Sequence, residues 1–275
     1  MSSIVTEKGI LHYETLGRGK PVILLHGWIN SWDVWRESMI HLAREGEGVR
    51  VYALDFWGFG LSNGETEEES SFEIDSYVDM VYQFMEKLGI QKAPIFGHSM
   101  GGTVALKFSI RYPEKVDRIV VVGSPIVGNT LNFFLKLSGI NFIAELVWRY
   151  PILRDTVMRI VLFGDQKSVK TMLMRDVKRA NMHSFFKSIG DLHATDLCQE
   201  LEENEVPILG IFGKSDNIVS PSNADLLRKA RKDSEVVIME NSRHFPMVDE
   251  PKRFLEVIDQ FLKHDFKVDS QYTEV

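Results

Sequence analysis

The sequence predicts an α/β fold in which a mostly parallel sheet carries helices on both faces. Short uninterrupted apolar segments alternate with amphipathic segments over most of the 275 residues, a pattern typical of strands buried on both faces. One apolar segment, Ala93 to Phe96, runs directly into Gly97-His98-Ser99-Met100-Gly101, and a helical pattern follows. Between residues 125 and 195 the alternation stops, and the pattern is helical and rich in bulky apolar side chains. We therefore expect an α/β core, residues 1–124 and 196–275, with a helical cap, or lid, inserted at 125–195.

The elements follow in order along the chain. Ile4 to Leu16 predicts a hairpin, because two short strand patterns flank Lys8-Gly9. Further strands are predicted at Pro21–Leu25, Val49–Leu54, Ala93–Phe96, Asp117–Val122, Pro207–Phe212 and Glu235–Met239. Helices are predicted at Trp32–Arg44, Phe72–Leu88, Met100–Arg111, Asn223–Arg231 and Pro251–Lys263.

Composition narrows the class of protein. The net charge of −7 disfavours nucleic acid as a general partner, because neutralising phosphates needs a basic surface. A single cysteine, Cys198, excludes an internal disulfide and a cysteine-rich metal site. The first residues lack the apolar core of a signal peptide, and no apolar run approaches the roughly 18 residues of a membrane span. We expect a cytoplasmic protein, a monomer or homodimer, with no integral membrane segment.

The charge of the predicted cap differs from that of the core. Residues 125–195 hold five lysines, five arginines and five acidic residues, a net charge of +5. One interpretation is a solvated cap face together with docking onto an acidic body. The other is that basic cap residues attract an anionic substrate or a lipid surface.

Ser99 is the candidate nucleophile. A serine between a strand and a helix, flanked by Gly97 and Gly101, matches the nucleophile elbow, a tight turn that exposes the hydroxyl. The helix that begins at Met100 adds free backbone N–H groups and positive potential beside that hydroxyl. A serine hydroxyl still needs a base to take its proton and a third group to orient the base.

His244 is the candidate base. It lies in the loop after the last predicted strand, and loops at the carboxyl ends of parallel strands meet at the edge where Ser99 lies. Of the other seven histidines, His26 is considered below with the loop that it begins. The remaining six lie in the predicted hairpin, on a predicted helix, near the tail, in the predicted cap or beside the serine, where neighbouring side chains tend to diverge; they are His12, His41, His264, His183, His193 and His98.

Asp216 is the candidate orienting acid. It follows the predicted strand Pro207–Phe212, so it belongs to the same edge of the sheet. The alternative is an aspartate that forms a turn by bonding its own backbone. The chain order Ser, Asp, His is the order of the nucleophile-elbow architecture and favours the catalytic interpretation.

Two backbone N–H groups are candidates for an oxyanion hole. The predicted strand Pro21–Leu25 runs into His26-Gly27-Trp28, and the glycine permits a turn that presents the Trp28 N–H. Paired with the N–H of Met100, it would give a two-donor site. We predict that His26 is a structural hydrogen-bonding residue. The Trp28 side chain either walls the acyl pocket or packs within the fold.

The segment Asp55 to Ser62 predicts a structural turn. Asp55 follows a strand, and Gly58 and Gly60 permit unusual dihedral angles. A dinucleotide-binding motif would need a third glycine at position 63, which is Asn. Nucleotide binding is therefore not expected here.

These residues together resemble the α/β-hydrolase family over almost the whole chain. The resemblance rests on His26-Gly27 after an apolar strand, Asp55-x-x-Gly58-x-Gly60-x-Ser62, Gly97 to Gly102, Gly213-x-x-Asp216 and His244 before Pro246. It implies an eight-stranded, mostly parallel sheet with a helical cap after the sixth strand. It also implies a hydrolase of the carboxylesterase or lipase-like kind, with a Ser-His-Asp triad, no cofactor and no metal.

The resemblance leaves the substrate open. Carbon–carbon bond hydrolases of this family typically carry Asn before the serine, where this chain has His98. A hydrolase of carboxylic esters is the first expectation; a vinylogous diketone hydrolase, a lactonase, and a small-molecule receptor with little turnover are the alternatives. The apolar cap favours an apolar acyl or aryl substrate, unless its side chains only join cap to core. The candidate pocket residues are Trp28, Phe133, Phe142, Trp148 and Phe163.

Overall fold

A computed structural model describes residues 2–45, 48–62, 72–131, 149–150, 152–153, 155–156 and 167–263. Its eight strands are β1 (Ser2–Thr6), β2 (Gly9–Gly17), β3 (Lys20–Leu25), β4 (Val49–Leu54), β5 (Ala93–His98), β6 (Val116–Val122), β7 (Ile208–Gly213) and β8 (Glu235–Met239). They form one sheet in the order β1-β2-β4-β3-β5-β6-β7-β8. Strand β2 is antiparallel to both of its neighbours, β1 and β4. The remaining neighbours in the sheet, from β4 through β3, β5, β6 and β7 to β8, are parallel. The predicted α/β fold with an eight-stranded, mostly parallel sheet is confirmed.

Helices connect the parallel strands. A 3₁₀ turn at Trp32–Trp35 precedes the first of them, and the helices are α1 (Arg36–Glu45), α2 (Ile74–Leu88), α3 (Met100–Arg111), α4 (Lys167–Asp176), α5 (Met182–Ala194), α6 (Cys198–Leu201), α7 (Asn223–Ala230), α8 (Pro246–Asp249) and α9 (Pro251–Leu262). Among the described residues, none of these helices is long and apolar enough to cross a membrane.

The helices cover both faces of the sheet because its strands are apolar on both faces. In β3, Ile23 and Leu25 belong to an apolar cluster with α2 and α3, while Val22 and Leu24 belong to a second cluster with α1 and α9. Side chains alternate between the faces of a strand, so a continuous apolar run supplies both clusters. This double cover leaves the strand ends as the accessible edge of the sheet.

The segment between β6 and β7 contributes α4 and α5, which lie against the core. Asp176 of α4 accepts a hydrogen bond from the Ser31 hydroxyl at 2.9 Å, and Asp191 of α5 accepts one from the Ile74 N–H at 2.7 Å. Arg175 pairs with Asp33 of the core at 2.9 Å. The segment is therefore attached to the rest of the described fold by charged and polar contacts and by apolar packing, since Val169, Leu173 and Phe185 belong to the same apolar cluster as Val22 and Leu24.

Candidate active site

Ser99 occupies a strained turn between β5 and α3. Its dihedral angles are φ 50° and ψ −118°, in a region that residues with a β-carbon rarely adopt and that costs about 1–3 kcal/mol. The turn is held because the Ser99 N–H donates to the Val122 carbonyl of β6 at 2.8 Å, and the Ser99 carbonyl accepts from the Gly102 N–H at 2.9 Å. The surrounding structure thus fixes the serine where β5 ends and α3 begins.

The glycines of the motif are required by close backbone approach. A β-carbon on Gly97 would overlap the Gly101 carbonyl, and one on Gly101 would overlap the carbonyl oxygens of Leu25 and His26. Strand, helix and the end of β3 therefore meet at distances that only glycine permits. This packing places Ser99 beside the loop after β3.

His244 and Asp216 are hydrogen-bonded to each other. His244 Nδ1 lies 2.8 Å from Asp216 Oδ2, and both side chains are buried. The other carboxylate oxygen, Oδ1, accepts from the N–H groups of Ile218 at 2.8 Å and Val219 at 3.0 Å. Asp216 therefore uses Oδ1 to form its own turn and Oδ2 to contact the imidazole of His244.

The carboxyl end of β6 lies next to this pair and also next to the turn at Ser99. Gly123, the residue after Val122, has φ +54°, and a β-carbon there would lie 3.3 Å from His244 Nδ1 and 3.4 Å from Asp216 Oδ2. The carbonyl of Val122 accepts the hydrogen bond from the Ser99 N–H. Within the described residues the Ser99 hydroxyl makes no hydrogen bond, so the structure joins His244 to Asp216 but does not bond His244 to Ser99. Catalytic hydrogen bonds of enzymes without substrate are often long and tighten when the substrate binds.

The loop after β3 forms a second strained turn. Ile29 has φ 70°, an outlier for a β-branched side chain, and the Asn30 N–H closes the turn onto the Gly27 carbonyl at 3.2 Å. The Ser99 β-carbon lies 3.1 Å from the position that a Gly27 β-carbon would occupy. In the described part of the chain, no group accepts the N–H of Trp28 or that of Met100. The two candidate donors are thus unpaired there, one in the loop after β3 and the other at the first residue of α3.

His26 and Asp55 support these loops. The Phe56 N–H donates to His26 Nε2 at 2.9 Å, so the ring proton lies on Nδ1, which donates to the Gly27 carbonyl at 2.6 Å. Burial lowers the pKa of His26, which favours this neutral form. Asp55 accepts from the N–H groups of Trp32 at 2.7 Å and Leu61 at 2.8 Å. Both residues have the structural role that the sequence predicts.

The Trp28 side chain connects the loop after β3 to α5. Its Nε1–H donates to the Phe185 carbonyl of α5 at 2.8 Å, and the two rings lie 4.3 Å apart between centroids. The indole is partly buried and packs against both apolar clusters. The other predicted pocket residues, Phe133, Phe142, Trp148 and Phe163, lie outside the described residues.

His98 is buried between the candidate base and the loop after β3, and its ring contacts were not predicted. Its Nε2 lies 2.8 Å from the His244 carbonyl, and its Nδ1 lies 3.4 Å from Asn30 Nδ2. The ring centroids of His98 and His244 are 4.7 Å apart. Burial, followed by the nearby His244, lowers the pKa of His98 well below its usual value. Sequence adjacency to the serine gave no sign of these contacts, which cross 146 residues.

The described basic residues between β6 and β7 fall into two groups, those that pair with an acidic side chain and those that do not. Arg175 is neutralised by Asp33 and Asp176, which attach α4 to the core. A second set has no acidic partner within the described ranges; it comprises Lys167, Lys170, Lys178 and Arg179. Docking therefore accounts for part of the basic character that the sequence shows.

The geometry of the strand ends agrees with comparison to known proteins. The family model for the alpha/beta hydrolase fold matches residues 20–251. The chain belongs to the α/β-hydrolase family. The resemblance inferred from the motifs is thereby confirmed.

Several proteins similar to this chain carry the names of hydrolases. A pimeloyl-[acyl-carrier protein] methyl ester esterase of Hamiltonella defensa is 28% identical over 288 residues, covering 93% of this chain and 98% of that protein. A 2-hydroxymuconate semialdehyde hydrolase of Pseudomonas sp. (strain CF600) is 25% identical, covering 90% and 88%. The solved structure of an esterase (EaEST) from Exiguobacterium antarcticum superposes with a TM-score of 0.82 at 20% identity, covering 95% and 99%. At that identity the structure shows the shared fold, and the relatives support a hydrolase.

Proposed function

We propose that this α/β-hydrolase cleaves carboxylic esters through a Ser99-His244-Asp216 triad and an acyl-enzyme. The observation that carries the proposal is the 2.8 Å contact between His244 and Asp216 at the sheet edge where Ser99 is held in a strained turn. Strained residues persist where the surrounding structure fixes them, and they cluster at active sites. A buried carboxylate that holds Nδ1–H leaves the opposite ring nitrogen of His244 as the base.

The mechanism uses side chains and backbone groups of this chain alone. His244 removes the proton of Ser99 as its oxygen attacks the ester carbonyl, and Asp216 stabilises the imidazolium that forms. The N–H groups of Trp28 and Met100 bind the oxyanion, where loss of one donor typically costs about 3 kcal/mol of transition-state stabilisation. His244 then protonates the leaving alcohol, and water attacks the acyl-enzyme by the reverse route.

Active-site labelling tests this proposal. A fluorophosphonate probe should modify the parent protein and leave Ser99→Ala unmodified, because the probe reacts with an activated serine. Ser109→Ala is a suitable control, since Ser109 is a buried serine of α3 whose hydroxyl donates to the Leu106 carbonyl and accepts from the Asn204 amide. Equal labelling of parent and Ser99→Ala would overturn the assignment of the nucleophile.

We propose further that residues 125–195 form a cap over this site and that the acyl pocket is apolar. This proposal is supported by the contact of Trp28 with Phe185, because an aromatic side chain of α5 there packs against the loop of the proposed oxyanion hole. Burying apolar surface stabilises a bound acyl chain by about 25 cal/mol per Å². In a series of p-nitrophenyl esters, octanoate should therefore have a higher kcat/KM than acetate. Equal values for acetate and octanoate would contradict the apolar pocket.

A second candidate reaction is hydrolysis of a carbon–carbon bond in a vinylogous diketone. The relative named 2-hydroxymuconate semialdehyde hydrolase favours it, while His98 departs from the Asn that such enzymes carry before the serine. An ester, lactone and vinylogous diketone panel separates the three substrate classes by kcat/KM. Very slow turnover of every substrate, together with tight binding of one small molecule, would instead favour a receptor.

A further inference from the structure

We propose that His98 is a positioning residue that ties the loop of the base His244 to the nucleophile turn, through a hydrogen bond from its Nε2–H to the His244 carbonyl. The inference rests on the proposed function, since it assigns a purpose to a contact of the proposed base. His98 is fully buried and immediately precedes Ser99, so movement of its ring and movement of the serine turn are linked.

The direction of this hydrogen bond follows from its partner. A carbonyl oxygen only accepts, so the 2.8 Å contact between His98 Nε2 and the His244 carbonyl places the ring proton on Nε2. The bond holds the backbone of His244 itself and leaves its imidazole for Asp216. The His98 ring also lies 4.7 Å from the rings of His244 and Phe245, so it supports the loop by packing as well.

The second nitrogen of His98 faces the loop of the proposed oxyanion hole. With the proton on Nε2, Nδ1 is an acceptor, and Asn30 Nδ2 lies 3.4 Å from it. A β-carbon on Gly27 would come within 2.7 Å of the same nitrogen, so the absence of a side chain at Gly27 makes room for the ring. One imidazole therefore lies between the loops after β3 and β8, next to the serine turn.

His98 is suited to this purpose because it stays neutral. Burial lowers its pKa well below the usual value, so it keeps one donor and one acceptor nitrogen at the pH where His244 works as a base. It carries no charge that would oppose the imidazolium formed on His244. The proposed mechanism needs no second base, and the proton on His98 Nε2 is already donated to the His244 carbonyl.

Two substitutions test the roles of the two His98 nitrogens separately. The side-chain amide of Gln lies as many bonds from the backbone as Nε2 of His, so His98→Gln keeps a donor towards the His244 carbonyl. Asn is one bond shorter, so His98→Asn reaches only the position of Nδ1. We expect His98→Gln to keep kcat within about threefold of the parent, and His98→Asn to lower kcat about 10- to 100-fold, because small displacements of a catalytic group have costs of that size. KM should change less than about twofold in both, since both nitrogens face protein groups, the His244 carbonyl and the Asn30 amide.

Matched controls and a second readout keep the outcomes distinct. His41→Asn and His41→Gln alter a histidine that pairs with Asp259 at 2.8 Å, and they should leave kcat unchanged. Fluorophosphonate labelling of each sample measures the fraction with a reactive serine. A parent that is not labelled would refute the proposed function. A labelled parent with equal kcat in His98→Asn and His98→Gln, or a kcat loss that only follows a fall in folded fraction measured by circular dichroism, would overturn the positioning role.

Discussion

Asp216 presents one carboxylate oxygen to His244 Nδ1 at 2.8 Å and uses the other for its own turn. The turn fixes the carboxylate before any substrate binds, because two backbone N–H groups hold Oδ1. The imidazole is therefore oriented by a group that is itself immobilised by the fold. Such preorganisation is what a general base requires in order to act without rearrangement.

Replacing Asp216 by Asn should abolish most of the activity and leave the fold intact. The Asn oxygen can still accept from the N–H groups of Ile218 and Val219, so the turn persists. The amide carries no charge to stabilise the imidazolium and favours the wrong tautomer, which lowers kcat by roughly 10,000-fold in a comparable triad. Steady-state kinetics should show this loss, and Asp225→Asn, an exposed aspartate paired with Arg228, is the control. A kcat within tenfold of the parent would exclude Asp216 as the orienting acid.

Two glycine substitutions should have opposite effects on stability. Gly101→Ala places a methyl group into the carbonyl oxygens of Leu25 and His26, and we expect it to lower the free energy of unfolding by about 2 kcal/mol or more. Gly190 lies in α5 with open space around its β-position, so Gly190→Ala should raise that free energy by about 0.5–1 kcal/mol. Urea denaturation measures both. Similar effects of the two variants would contradict the close approach of strand and helix at the serine turn.

Glu235 should make the protein less stable as the pH rises. Burial raises the pKa of Glu235 from 4.5 to about 7, although Arg118 partly offsets the shift, and its Oε2 has no hydrogen-bond partner in the described structure. Between pH 4.5 and about 7 the folded chain then binds more protons than the unfolded chain, so the free energy of unfolding falls with rising pH. Glu235→Gln should remove this fall: it should be more stable than the parent above pH 7, and the difference should vanish below pH 4.5.

Urea denaturation at pH 4.5, 6 and 8 tests the Glu235 prediction. Glu240→Gln is the control, because Glu240 is exposed and pairs with Lys214 at 2.6 Å. A difference between Glu235→Gln and the parent that is the same at pH 4.5 and pH 8 would show that the carboxylate does not titrate in that window.

Much of the fold was predictable because burial on both faces leaves a plain pattern of apolar runs. The predicted and observed elements differ at their ends, because hydrogen bonds to the neighbouring strand determine how far each strand extends. Strand β5 continues two residues past Phe96 to His98, since Gly97 and His98 pair with Val121 and Val122 of β6. Strand β7 begins at Ile208. Its predicted first residue, Pro207, lacks the N–H that a central strand donates.

The candidate site was predictable where chemistry restricts residue type, and less so where contacts are long-range. Ser99, Asp216 and His244 follow strands whose ends meet at one edge, so their order and types indicate a site. The left-handed conformation of Ile29 has no sequence signal, because β-branched residues disfavour it. The contact of His98 with the His244 carbonyl is also invisible in the sequence, since tertiary structure alone brings these segments together.

The most direct test of the triad is to trap the acyl-enzyme. Parent protein mixed with excess p-nitrophenyl ester and quenched in acid should show one added acyl group by intact mass, and peptide mapping should place it on Ser99. Asp216→Asn should acylate far more slowly, and Ser99→Ala should remain unmodified. Ester hydrolysis by the parent with no acyl group on Ser99 at any time, or with Ser99→Ala at near parental rate, would contradict the account.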